Sequence, residues 1–462
     1  MKTTGKNQLF SYRMGAMLLL AATAPVASHA QNFKVLYTFT GGADGGYPQY
    51  GRLIADTAGN LYGTATFGGD LRCPDLTSWE PGCGVVFKLD PVTGQETVLH
   101  RFSGGVDGAQ PWAGLIHDPR GNLYGTAAFG GTNGAGVIFK IDLSGHEHVL
   151  HAFNYTDGAI PTGELVEDLS GNLYGTTVTG GSLDRCAGAG CGVIFRQSAS
   201  GELTVLHNFS SLSTQDGANP THALTLDAAG NIYGTSENGG VPACLNYGDY
   251  EAVVTYIGGC GTIFKLNSMG ETSLFRFGAG PDGSDPRTAL TQDNAGNLYG
   301  TTFAGGLYGG GTVFKLDPTT GHETVLYNFQ GLTDGANPWG GVAQDPAGNL
   351  YGIANHAGGS CYCGTVFKLD RQGNYTVLHT FTYADGAYPE APLRIYNGAL
   401  YGITSGGGTL SDGSSGTGTI FQITLPADAS HRLAVRKIPI QMDGDIVMFL
   451  SYDSEGLVLR GL

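Results

Sequence analysis

One pattern of punctuation occurs seven times in this chain, and a chain that repeats itself at a fixed interval has few folds open to it. Four landmarks recur in constant order. Asp-Gly-x-x-Pro begins at Asp44, Asp107, Asp157, Asp216, Asp282, Asp334 and Asp385. Leu-Tyr-Gly or Ile-Tyr-Gly follows, with its tyrosine at Tyr62, Tyr124, Tyr174, Tyr233, Tyr299, Tyr351 and Tyr401. A Phe-Lys-like strand is centred on Phe87, Phe139, Phe195, Phe264, Phe314, Phe367 and Phe421. Val-Leu-x-x-Phe or a near relative ends at Phe39, Phe102, Phe153, Phe209, Phe277, Phe329 and Phe381. The tyrosines are on average about 56 residues apart, the length of one four-stranded propeller blade.

Within a repeat, strand a follows the proline, as in Gly114-Leu115-Ile116-His117-Asp118. An Asp-x-x-Gly-Asn turn leads into strand b, Leu123-Tyr124-Gly125-Thr126, and a Gly-rich loop precedes strand c, Val137 to Ile141. A Ser-Gly or Thr-Gly turn then leads to strand d, His148 to Phe153. The 78 glycines would suggest low complexity if scattered, but they are periodic and mark turns needing positive φ. A lone sheet of this kind has exposed edges and two apolar faces, so the blades must stack in a ring. The chain opens on a d-like strand, Phe33 to Phe39, and its seventh repeat stops after strand c, Gly418 to Ile423. The two remnants make one blade. The expectation is an all-β, seven-bladed propeller over residues 31–424, its N-terminal strand closing the last blade. An open solenoid would leave both ends uncapped.

Repeat five runs from Gly296-Asn297-Leu298-Tyr299-Gly300-Thr301-Thr302 to Gly311-Thr312-Val313-Phe314-Lys315-Leu316-Asp317. This string resembles the GloVer (Gloeobacter/Verrucomicrobia) tandem repeat of secreted bacterial proteins, and the likeness recurs across residues 33–423. The resemblance implies an extracellular "choice-of-anchor" repeat protein. It implies no established activity and no catalytic residues. Residues 425–462 depart from that pattern, with neither an apolar anchor helix nor a sorting motif; runs such as Asp445 to Leu450 read as one or two extra strands of unknown role.

Residues 1–30 have the form of a signal peptide. Lys2, Lys6 and Arg13 precede an apolar run from Met14 to Ala22, and Ser28-His29-Ala30 supplies a small-residue cleavage site. The run is too short to span a bilayer, and the mature chain has no stretch approaching a transmembrane helix. A secreted chain, extracellular or periplasmic, is expected. The full chain carries a net charge of −16, and its leader holds three basic residues and no acidic one. The mature surface is therefore more acidic still. It disfavours nucleic acid and anionic membrane and tolerates neutral glycans, cationic partners or divalent ions.

Eight cysteines fall into four local pairs: Cys73/Cys83, Cys186/Cys191, Cys244/Cys260 and Cys361/Cys363. An even count within the b–c insertions of an exported chain reads as disulfides, with zinc as the rival. The single residue between Cys361 and Cys363 makes that bridge the open case. In an up-and-down blade, the d–a and b–c loops share one face. That face gathers the cysteines, the seven Asp-Gly-x-x-Pro loops, and Trp79, Trp112 and Trp339. The residue after each repeat proline varies: Gln49, Trp112, Thr162, Thr221, Arg287, Trp339 and Glu390. It begins the innermost strand and belongs near the channel mouth. The blade-four insertion adds Tyr247, Tyr250 and Tyr256. Aromatic rings with acidic and amide neighbours suit sugar or peptide recognition, or else they pack the insertions onto their blades.

The repeat aspartates read as turn residues that satisfy loop N–H groups, since a ring around a channel is too wide for one ion. His100, His151, His207 and His379 share a position with Tyr37, Tyr327 and Phe275, which argues for packing. His222 and His356 fall outside the repeat, and a mouth histidine near Glu390 or Arg287 could do acid–base work. No nucleophile elbow, zinc-protease helix or phosphate loop is present. The leading expectation is a monomeric, non-catalytic protein with no cofactor or metal. It would recognise a glycan or cell-surface protein through the d–a/b–c face. The alternatives are a secreted lyase or hydrolase with a sparse channel-mouth site, and a structural cell-envelope protein.

Overall fold

The structure is a computed structural model. It describes residues 32–73, 81–210, 216–241, 259–278 and 280–426, with the backbone of strands Ile438–Met442, Asp445–Asp453 and Gly456–Gly461. The leader segment, Trp79, Cys244, Tyr247, Tyr250 and Tyr256 lie outside the described residues.

Seven four-stranded antiparallel blades follow one another in a β-propeller, and Thr288–Ala289 adds a fifth, parallel strand to the sheet of blade 6. Blade 2 is representative, with strand a at Ile116–His117, b at Leu123–Ala127, c at Val137–Ile141 and d at Glu147–Ala152. The inner strands are shorter than the sequence suggests, because only the residues nearest the a–b turn pair regularly. Blade 7 is completed as expected. Its a, b and c strands are Arg394–Tyr396, Ala399–Thr404 and Thr419–Thr424, and the N-terminal strand Phe33–Thr38 pairs antiparallel with the last of these. The tail forms a three-stranded antiparallel sheet, one strand more than the apolar runs indicate.

The ring is held by a contact made seven times. The phenylalanine ending strand d packs edge-on against the strand-c phenylalanine of the next blade. The pairs include Phe102–Phe139, Phe153–Phe195, Phe277–Phe314 and Phe381–Phe421, with centroids 5.2–5.4 Å apart. The contact between Phe39 and Phe87, at 5.2 Å, closes the ring between blades 7 and 1. Each buried ring is worth roughly 1.5–3 kcal/mol in transfer from water, before edge-to-face attraction is added. The same rings explain the invariant glycine of Leu-Tyr-Gly. A Cβ on Gly63, Gly125, Gly234 or Gly402 would stand 2.4–2.6 Å from the tip of its neighbouring strand-c phenylalanine.

The a–b turns are held by their own aspartates. Asp168 Oδ1 accepts from the Ser170 and Asn172 amides, and Oδ2 from Asn172 Nδ2 and the Tyr174 hydroxyl, all within 2.8–3.0 Å. Burial alone would raise this carboxyl; the hydrogen bonds outweigh it and hold Asp168 below its ordinary range. The Asp-Gly-x-x-Pro aspartates act as turn residues too. Asp157, Asp282, Asp334 and Asp385 each accept a loop amide at 2.8–2.9 Å.

Candidate functional site

The d–a and b–c loops meet on one face. Isolated bridges tie them at Gly46–Phe67, Ala109–Phe129, Ser284–Ala304 and Ala387–Gly406. Each d–a loop then makes the same sharp turn. The residue before the proline is left-handed in all seven blades: Tyr47, Gln110, Ile160, Asn219, Asp285, Asn337 and Tyr388 have φ of 51–57°. Such a conformation costs a non-glycine residue about 1–3 kcal/mol, and cross-blade hydrogen bonds offset it. The amides of Gln110, Asn219, Asp285 and Tyr388 donate to the carbonyls of Cys83, Cys191, Cys260 and Cys363 in the preceding blade. The second cysteine of each pair therefore presents the acceptor that fixes the next loop. Disulfides join Cys73 to Cys83, Cys186 to Cys191 and Cys361 to Cys363.

That turn aims the residue after the proline at the axis. Trp339 of blade 6 reaches blade 1 and stacks on Tyr50, with centroids 5.5 Å apart and an interplanar angle of 18°. Trp112 of blade 2 meets the same tyrosine edge-on at 6.1 Å and rests on Phe129 at 5.6 Å. All three mouth rings are half-buried. The Trp112 and Trp339 indole N–H groups are covered and have no acceptor. Gly340 and Gly341, with φ of 77° and 87°, let the backbone after Trp339 run beside the inner strand of blade 5. Arg287 lies between two rings, its guanidinium carbon 4.4 Å from the Trp339 centroid and 4.6 Å from that of Phe303.

A polar cluster continues around the mouth. Arg287 Nε is 3.1 Å from Asp285 Oδ2 and 3.9 Å from Glu237 Oε1. Burial, then the charge of Glu237, push the Asp285 carboxyl well above its ordinary range. The Thr221 hydroxyl lies 2.7 Å from both Glu237 Oε1 and His222 Nδ1. An ionised carboxylate only accepts, so Thr221 donates to Glu237 and accepts from Nδ1–H, leaving His222 Nε2 bare. Burial, reinforced by the Arg287 charge, lowers His222 to about 3, so it is neutral at ordinary pH. Elsewhere Asn355 Nδ2 donates to Glu390 Oε1 at 3.1 Å, and Thr162 donates to the Thr221 carbonyl at 2.9 Å. Within the channel lies a cavity of about 650 Å³, where Arg52 of blade 1 and Glu164 of blade 3 form an ion pair at 2.9 Å.

The family model of the Gloeobacter/Verrucomicrobia repeat matches residues 25–182, 77–249 and 250–437. The chain belongs to this repeat family. None of the curated proteins compared with it matches. Among solved structures, the extracellular domain of a hybrid two-component system from B. thetaiotaomicron aligns with a TM-score of 0.51 at 10% identity, covering 93% of this chain and 46% of that one. The chain thus spans about half the length of that neighbour. A gluconolactonase from Xanthomonas campestris aligns at 14% identity with a TM-score of 0.40, covering 66% and 83%. Luciferin-regenerating enzyme aligns at 12% with a TM-score of 0.39, covering 86% and 96%. Identity this low speaks to fold and not to activity.

In this Gloeobacter/Verrucomicrobia-repeat propeller, the residues after the prolines do not form one uniform ring. Trp112, Trp339 and Arg287 converge; Thr162, Thr221 and Glu390 bond to loop neighbours; Gln49 pairs with Thr66 at 3.3 Å. Gln49 was matched to the wrong place in its repeat. Blade 1 has one residue more between Pro48 and the turn aspartate Asp56 than blade 2 has between Pro111 and Asp118. Counted from the turn, Tyr50 is the equivalent, and Tyr50 is the ring on which both tryptophans meet. Sequence reading also missed the position just after strand b, which supplies Glu237, Phe303 and Asn355. It varies as freely as the post-proline position, and that variation was the available signal. His356 is exposed, its ring 6.0 Å from that of Tyr388.

Proposed function

We propose that this repeat protein is exported and acts as a carbohydrate-binding propeller, holding its ligand against the d–a/b–c face. The observation that carries the reading is the convergence of Tyr50, Trp112 and Trp339 from three blades into one half-buried cluster. Stacked rings offer flat apolar surface to a pyranose. The amide and carboxylate of Asn355 and Glu390, with the hydroxyls of Thr162 and Thr221, supply directional partners. Two covered indole N–H groups without acceptors each cost about 1–3 kcal/mol. A ligand oxygen that met them after a small ring movement would recover that cost. Export is supported by the leader-like first thirty residues and by the disulfides. Among the described residues no helix is long and apolar enough to cross a membrane.

A second reading draws on the Glu237–Thr221–His222 chain, whose neutral imidazole can orient a water or hydroxyl through its unprotonated Nε2. On that reading the site cleaves what it binds. One experiment addresses both. The mature chain is screened on a glycan array, and bound glycans are incubated and checked for products. Trp112→Ala with Trp339→Ala is expected to stay folded and lose at least about tenfold in affinity; full affinity would sink the binding reading. Product that appears with the wild type and vanishes with His222→Gln would favour the enzyme.

A further inference from the structure

At each seam, the ring on strand d faces the aspartate of its own following loop, and the next blade adds one side chain from the start of its strand d. Where that addition is not acidic, the histidine bonds its aspartate well. His151 Nε2 is 2.9 Å from Asp157 Oδ2, and the strand d of the next blade begins at Leu203. His379 Nε2 is 3.1 Å from Asp385 Oδ2, with Phe33 stacked on the imidazole at 3.6 Å. At the two seams where a histidine meets a glutamate, its Nε2 makes no hydrogen bond. His207 Nε2 stands 3.4 Å from Asp216 Oδ2 and makes no hydrogen bond, and neither does Oε1 of Glu271 from blade 4. Both atoms are covered from solvent. His100, Asp107 and Glu147 repeat this arrangement between blades 1 and 2, at 3.5 Å.

His207 Nε2 and Glu271 Oε1 stand beside the Asp216 carboxylate, covered and without a hydrogen-bond partner, and a cation between the three would satisfy both. Leaving such atoms buried and unpaired is costly. At the seam of blades 3 and 4 the ligand atoms of His207, Asp216 and Glu271 all lie within 4.8 Å of one another. The Asp216 carboxylate is already oriented, since Oδ2 accepts from the Ser210 amide and hydroxyl at 3.0 Å and Oδ1 from the Gly217 amide at 2.8 Å. Outer-shell bonds of this kind fix ligands in metal sites.

We propose that His207, Asp216 and Glu271 bind a divalent transition-metal ion of the zinc type, which clips blade 3 to blade 4. One nitrogen and two carboxylate donors suit zinc, with water completing a tetrahedron. Calcium would need six or more oxygens, and magnesium a near-ideal octahedron. The site is distinct from the channel mouth and does not depend on the binding function proposed there.

The test is a zinc titration of the metal-stripped full mature chain by calorimetry, beside thermal unfolding with zinc or with chelator. Glu271→Gln and His207→Gln are each expected to bind one equivalent less than wild type, or to bind it at least about tenfold more weakly. Zinc should raise the wild-type melting temperature and leave that of Glu271→Gln less changed. His151→Gln, at a seam without the glutamate, should keep the wild-type stoichiometry. No zinc uptake by the wild type, which requires no variant to fold, overturns the proposal. So does uptake that Glu271→Gln leaves unaltered, and a proton on the glutamate then balances the cluster.

Discussion

The seams between blades and the mouth of the channel are built from the same repeat, yet they obey opposite rules. At the seams one phenylalanine contact is made seven times, with centroid separations confined to 5.2–5.4 Å. At the mouth the variable side chains make contacts that differ from blade to blade: Trp339 crosses to Tyr50, Arg287 is layered between Phe303 and Trp339, and Thr221 bridges Glu237 to His222. The repeat carries stability through identical small increments and leaves the mouth to vary. The proposed binding site stands where the repetition stops.

The strongest way to break that comparison is to delete a seam ring. Phe195→Ala and Phe314→Ala are expected to destabilise by about 3–5 kcal/mol each, and to differ from one another by no more than about 1 kcal/mol. Urea unfolding would measure both; a large difference between them would mean the seams are not equivalent. A smaller effect is expected from Arg287→Lys at the mouth. Lysine keeps the charge and loses the flat guanidinium, so a loss of about 1–2 kcal/mol in stability should accompany weaker ligand binding. Unchanged binding would separate the arginine from the site.

A pH-dependent effect of similar size tests an irregularity of the seams themselves. Burial, then the charge of Asp282, push Glu323 up to about 7, and burial, then Asp44, do the same to Glu96. A carboxyl raised in the folded state stays protonated while the unfolded one ionises. Its contribution is full below the unfolded value near pH 4.5 and fades as pH rises through about 7. Between pH 5 and 8 the wild type should therefore lose more stability than Glu96→Gln/Glu323→Gln, by about 1–2 kcal/mol after solvent screening. Parallel pH profiles for the two would show that these carboxyls ionise normally.

Much of this was legible because a repeat multiplies weak signals. Six copies of Asp-x-x-Gly-Asn between strands a and b identify a turn that one copy would only suggest, and the unmatched d-strand at Phe33 required closure on the last c-strand. The mouth was legible only in part. Counting from Pro48 selected Gln49, and one added residue before Asp56 hid Tyr50. The variability after strand b that brings in Glu237 and Phe303 was passed over, since those residues join the site through folding rather than spacing.

The sequence by itself settled the blade count, the closure and the face that gathers the variable loops, because each follows from local pattern and chain order. Only the tertiary structure decided which variable side chains touch. Tyr50 and Trp339 are 289 residues apart, and His207 meets Glu271 only because two blades lie side by side. Contacts across a ring depend on its curvature and on the reach of each side chain, and neither is written in the period of the repeat.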